Sequence, residues 1–220
     1  MGFVEDFFAA LQIYNETVFP ITILTYLLGL FAIYLVARKS SQTSRFVSFI
    51  LSFLWLWSGV VFHILFYGPI DVEFLGMTLP GMWYFSGVLF IIQSLLLIYY
   101  GIVRNDLSFS LNISPCSIIG VIFVIYSMVI YPFIGFLTGY AYPKYPIFGS
   151  FPCPVTIFTL GLLLCTNKKV PLPVAIIPFI WGIIGVMPVL MLNIYADIGL
   201  ILSGIIGVPL ILLHNRSIGR

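Results

Sequence analysis

Long apolar runs separated by short polar stretches recur from one end of this chain to the other. The first run is of a different kind. Val4, Phe7, Phe8, Leu11 and Tyr14 recur at helical spacing, while Glu5, Asp6, Gln12 and Glu16 fill much of the other side. This pattern predicts an interfacial amphipathic helix over residues 3–16, lying along a membrane surface rather than crossing it. Seven longer runs predict transmembrane helices at about Val18–Ala37, Phe46–Tyr67, Met82–Val103, Ser117–Leu137, Pro154–Thr166, Pro173–Met191 and Asp197–Leu213. Pro132 is expected to kink the fourth.

The fifth run is short. Crossing a hydrocarbon core of about 30 Å takes about 20 residues, and Pro152 and Pro154 deny backbone donors to the turns they occupy. The stretch Phe148–Leu164, FGSFPCPVTIFTLGLLL, therefore predicts an irregular or re-entrant lead-in and a short helix. Irregular backbone at membrane depth must be buried in protein or line a wet cavity, which places this span inside the bundle.

Composition agrees with the pattern. The 220 residues are 61% hydrophobic and 7% charged, where a soluble chain carries roughly 25% charged residues. The fold class expected is an all-α integral membrane protein with seven transmembrane helices in one domain. Met1–Glu16 lacks the basic start and small-residue cleavage site of a secretory signal, so the first span is expected to serve as its own insertion signal.

Charge sets the expected orientation. In the seven-span arrangement Arg38, Lys39, Arg45, Arg104, Lys168, Lys169, Arg216 and Arg220 share one side, leaving only Lys144 on the other. Glu5, Asp6, Glu16, Asp71, Glu73 and Asp197 take the opposite side, with Asp106 the exception. Positive residues mark the cytoplasmic face, so the N-terminus is expected outside and the C-terminus inside a cell membrane. Cys153 then falls at the outer face and Cys116 and Cys165 at the inner. No disulfide framework is expected from that distribution.

Two openings match. Pro20-Ile-Thr-Ile-Leu-Thr25 and Pro154-Val-Thr-Ile-Phe-Thr159 share one pattern at the start of spans one and five. Trp57 in span two corresponds to Trp181 in span six, and Asp71 before span three to Asp197 at span seven. The matches suggest a 3+1+3 parallel repeat, with residues 17–103 as one copy, 117–137 as linker helix and 148–213 as the second copy. Parallel repeats of this kind are a transporter device. The architecture resembles that of SWEET-type sugar uniporters, without their Pro-Gln signature.

A second resemblance covers nearly the whole chain. YNETVFP at Tyr14–Pro20, the Trp57 to His63 stretch, FGSFPCPVTIFTLGLLL and IPFIWGIIG at Ile177–Gly185 resemble a family of uncharacterised prokaryotic multi-pass membrane proteins, a domain of unknown function. The resemblance implies a class and no activity.

The candidate binding residues are those near the bilayer midplane. Trp57, Trp181, Thr25, Thr159 and Gln93 fall near the middle of their spans, and His63 lies six positions beyond Trp57. Tryptophan supplies a flat apolar face and one donor, and Thr and Gln supply donors and acceptors. That chemistry suits a small neutral polar solute, and the bilayer is the other expected partner. Pro20, Pro152, Cys153 and Pro154 form the structural motif, with Pro-Cys-Pro read as a rigid turn. His214 reads as a solvated end group. Gly182, Gly185, Gly204 and Gly207 allow close helix contacts.

Absences narrow the classes. No lysine lies within a span, which excludes a retinal Schiff base. Two distant histidines without acid clusters do not assemble a zinc site. No span carries a central carboxylate, which disfavours proton or sodium coupling, and Asp71 and Asp197 read as helix caps or as lining an entrance. No cofactor and no nucleic-acid partner is expected. The leading expectation is a permease moving a small neutral solute by facilitated diffusion. The alternatives are a non-transporting interaction or sensor protein, or a membrane enzyme using His63 or Cys153.

Overall fold

The computed structural model describes residues 3–38, 40–74, 76–139 and 142–218. Lys39 and Arg220, two of the charges behind the expected orientation, lie outside the described residues. Helix α1 (Phe3–Thr17) is followed by α2 (Phe19–Arg38) and α3 (Ser41–Trp57), which continues as a π-helical stretch, Ser58–Tyr67. A small antiparallel hairpin, β1 (Val72–Phe74) and β2 (Met77–Leu79), leads to α4 (Met82–Leu97) and its π-helical continuation Ile98–Val103. Then come α5 (Pro115–Ile125), a π turn at Tyr126–Ile130, α6 (Tyr131–Leu137), α7 (Pro152–Leu164), α8 (Leu172–Ile184), α9 (Val186–Leu192) and α10 (Ile198–Ser217).

Among the described residues six helical rods are long and apolar enough to cross a membrane: Phe19–Arg38, Gln42–Tyr67, Met82–Val103, Pro115–Leu137, Leu172–Leu192 and Tyr195–Ser217. The protein is thus an all-α, multi-pass membrane protein, and Pro152–Leu164 is a further, shorter apolar helix. The rods of six differ from the expected spans mainly at their breaks. The second starts at Ser41 rather than Phe46, because Ser40 and Thr43 form a reciprocal capping box. The fourth widens into a π turn at Tyr126–Ile130 just ahead of Pro132, which then sits in the first turn of α6, where a missing N–H is harmless. The rod Leu172–Leu192 is interrupted at Gly185, three residues before Pro188.

The two ends of the bundle are distinct. At the hairpin end α1 lies with Phe7, Leu11 and Tyr14 buried, as the periodicity predicts, while Val4 is exposed. At the opposite, basic end, the connection after α4 folds back against the other loops. Phe109 N–H donates to Ser44 Oγ at 3.0 Å, and Ser110 N–H to the Cys165 carbonyl at 2.7 Å.

Helix α7 is the centre. All thirteen of its residues are buried, as are Phe148–Phe151 before it. At 1.5 Å per residue it is about 20 Å long, well under the core thickness of about 30 Å. Its helix begins at Pro152, earlier than the expected Pro154, so both prolines fall in the first turn and remove donors that would be orphaned anyway. Irregular chain flanks it at both ends and is hydrogen-bonded to protein. At the hairpin end Tyr14 Oη donates to the Ser150 carbonyl at 2.6 Å, and Asn15 Nδ2 to the carbonyls of Pro143 and Tyr145 at 2.7 and 3.1 Å. At the basic end Thr166 pairs with Phe109, and Asn167 N–H donates to the Ser108 carbonyl at 2.9 Å.

Glycines set the closest approaches. A Cβ at Gly182 would stand 2.9 Å from the Gly204 Cα, and α5 meets α7 through Gly120 and Gly161 in the same way. Gly149 has φ +81° and packs directly under Thr25, so neither its turn nor its space admits a side chain.

Candidate functional site

The six candidate residues do not form one set. Trp57 is half-buried, and its Nε1–H donates to Tyr14 Oη at 3.0 Å. It anchors α1 to α3. Burial raises the Tyr14 hydroxyl above the ordinary tyrosine range, and the bond from Trp57 offsets part of this. Thr25 donates to the Thr22 carbonyl at 2.8 Å and covers Gly149. Gln93 Nε2 donates to the Val174 carbonyl at 2.9 Å, tying α4 to α8. Thr159 donates to the Val155 carbonyl at 2.8 Å and accepts from Trp55 Nε1 at 2.9 Å. Pro20 is exposed at the start of α2, whereas Pro152, Cys153 and Pro154 are buried at the start of α7.

His63 and Trp181 do come together. Their rings meet edge to face with centroids 5.2 Å apart, and Phe90 packs on both, at 4.6 Å from His63 and 4.8 Å from Trp181. His63 sits in the π-helical stretch, and its Nδ1 lies 2.8 Å from the Ser58 carbonyl. A carbonyl only accepts, so Nδ1 carries the proton and Nε2 presents a lone pair. That Nε2 is buried with no hydrogen-bond partner. The wide π turn brings the histidine over its own carbonyl while its ring reaches into the aromatic layer; such turns recur at functional sites.

A cavity of about 80 Å³ opens on this layer from the hairpin end. Phe7, Phe62, Trp83, Phe151, Cys153 and Trp181 are among its walls. The surface it offers is apolar. The indole N–H groups of Trp83 and Trp181 are buried behind that surface and find no oxygen or nitrogen acceptor, a cost of about 1–3 kcal/mol each. Among the described residues no three His, Cys, Asp or Glu side chains gather to hold a metal ion.

Asp197 departs from its expected role. It precedes α10 but makes no side-chain capping bond. Instead it is fully buried, and its Oδ1 accepts from Tyr131 Oη at 2.7 Å. The reason is the 3₁₀ turn Tyr195–Asp197, which turns the carboxyl away from its own helix and toward α6.

Sequence reasoning missed Trp55, Trp83 and Phe90, and read Asp197 as a cap or as lining an entrance rather than as a partner of Tyr131. A signal for Trp55 existed. Ser44, Ser48 and Ser52 recur every four residues along one face of α3, and Trp55 continues it. Small polar residues at that spacing mark a helix–helix contact, and all four are buried.

No curated protein and no solved structure matches this chain. A family model matches residues 4–220, almost the whole length, and the chain belongs to DUF6064, a family of unknown function.

Proposed function

We propose that the protein is a permease for a small neutral solute, seven spans in a 3+1+3 arrangement with the hairpin end outside the cell membrane and the basic end facing the cytoplasm. The observation that carries this reading is the apolar-walled cavity lined by Trp83 and Trp181. Its volume is about half that of the roughly 150 Å³ cavity that takes up benzene, which suits solutes of a few heavy atoms. The layer of Trp55, Phe90, His63 and Thr159 closes the path toward the cytoplasm. In this reading the structure is an outward-facing state, and passage requires α7 and α8 to part from α3 and α4.

The test is solute flux in proteoliposomes, followed by stopped-flow light scattering with acetamide, urea and 1,2-propanediol. At least one solute should enter faster than into empty vesicles, and Trp181→Ala should bring that rate down to the empty-vesicle level while the protein stays monodisperse. Entry no faster than into empty vesicles for every solute would sink the permease.

One observation favours a second reading, a ligand-binding sensor. Below the cavity Trp55 is bonded to Thr159 and Gln93 to the α8 backbone, which suits a site that binds without passing its ligand on. Solute-dependent change in tryptophan fluorescence without flux would select it.

A further inference from the structure

We propose that Asp197 is a proton-binding site and that solute passage is coupled to proton movement through it. The inference rests on the permease reading for its function and on geometry for its site. Ionisable residues inside membrane helices are rare and mark ion and proton paths. Asp197 is completely buried at the head of the last span. Among the described residues the one ion pair is Arg104 with Asp106, and no cationic side chain is paired with Asp197. Its hydrogen-bond supply is partial: Tyr131 Oη reaches Oδ1, and no N–H or O–H reaches Oδ2.

The groups that face it are all neutral. Tyr126 and Tyr131 approach from the α5–α6 rod, Tyr145 from the chain before α7, and Cys153 from the first turn of α7. Helix α9, which also packs there, carries no titratable residue. A carboxylate in such surroundings is costly without a counter-cation, and the neutral acid costs far less. The two protonation states therefore differ in their fit to this packing, as a coupling device requires.

Cys153 connects the carboxyl to the solute site. Its thiol neighbours Asp197, Tyr131 and the Trp181 indole, and the same residue lines the cavity. A proton arriving from the outward-open cavity passes Cys153 and settles on Oδ2, converting carboxylate to carboxylic acid; it leaves by Cys153 once the cavity has opened to the other side, so that it crosses together with the solute. Tyr126 Oη donates to the Ala196 carbonyl at 2.8 Å, so the turn that carries Asp197 is held to the α5–α6 rod. Loss or gain of the charge acts directly on that contact, and through Trp181 on the floor of the cavity.

The experiment uses the full chain in proteoliposomes loaded with a pH-sensitive dye. An inward acetamide gradient should acidify the lumen in the wild-type protein, and Asp197→Asn should carry acetamide with no pH change beyond that of empty vesicles. Acetamide flux with no accompanying pH change in the wild type, with an equal pH change in Asp197→Asn, or with dependence on sodium instead of pH, overturns the coupling. Infrared difference spectra across a pH titration decide the site independently of flux. A carboxyl C=O band that titrates in the wild type, disappears in Asp197→Asn and shifts in Tyr131→Phe supports it. The absence of any band that depends on Asp197 overturns it. If no solute crosses at all, the permease reading fails while the infrared result still decides the proton site.

Discussion

Helices α2 and α7 open with the same pattern and live in opposite surroundings. Ile23 and Leu24 in α2 are 52% and 43% exposed, facing what would be lipid, while Ile157 and Phe158 at the matching positions of α7 are fully buried. Thr22 Oγ1 is buried without a partner; Thr156 Oγ1 donates to the Pro152 carbonyl at 2.9 Å. Thr25 bonds only within its own helix, whereas Thr159 also receives the Trp55 indole. A shared pattern thus codes for a helix opening and leaves its environment unspecified. What differs is length. Twenty residues of α2 reach across unaided, so one face can meet lipid. Thirteen residues of α7 do not, and the irregular chain that completes it has to be enclosed.

The contrast can be broken by paired substitutions. The largest effect is expected at Phe158→Ala, where the cavity left inside the bundle should cost about 3 kcal/mol, the low end for such a change because lipid tails are as apolar as the core. Leu24→Ala should stay within about 0.5 kcal/mol. Equilibrium unfolding in detergent measures both, and equal costs would show that α7 is not the enclosed member of the pair. Next comes Thr159→Val, expected to cost about 1–2 kcal/mol because it strands the Trp55 donor, with a shift in the fluorescence of that indole. Thr25→Val keeps the shape against Gly149 and removes only a bond to its own helix, so less than about 1 kcal/mol is expected. The smallest effect is at Trp57→Phe. It deletes the half-buried bond to Tyr14, worth about 1 kcal/mol, and hydrogen exchange in α1 should rise while exchange in α7 stays unchanged. An equal rise in α7 would mean that α1 holds the buried coil through Trp57 rather than through Tyr14 and Asn15 themselves.

Most of the helical rods were legible because hydropathy and chain length are additive along the sequence. The amphipathic α1, the apolar runs and the shortness of the fifth could all be counted. The breaks were less legible. A π turn needs one extra residue per turn and no special composition, so nothing before Ser58 or Ile98 announces it, and only Pro132 gave warning of the turn at Tyr126–Ile130. The midplane set was drawn from depth alone. Depth locates a residue along the membrane normal but not around the helix, and Trp55 and Trp57, two positions apart, therefore point to opposite sides. One binds the Thr159 hydroxyl in the interior and the other binds α1.

The sequence by itself determined that this chain lives in a membrane as a helical bundle, that its basic residues gather at one end, and that Phe148–Leu164 is too short and too proline-rich to stand alone. Tertiary structure decided which residues meet. It gathered His63, Phe90 and Trp181 into one aromatic layer, sent Trp57 and Thr25 elsewhere, and buried Asp197 against Tyr131. The physical reason is that burial and hydrogen-bond partnership belong to pairs of helices, fixed by small residues such as Gly120 and Gly161 and by which face each helix turns inward, and no single run of sequence contains that information.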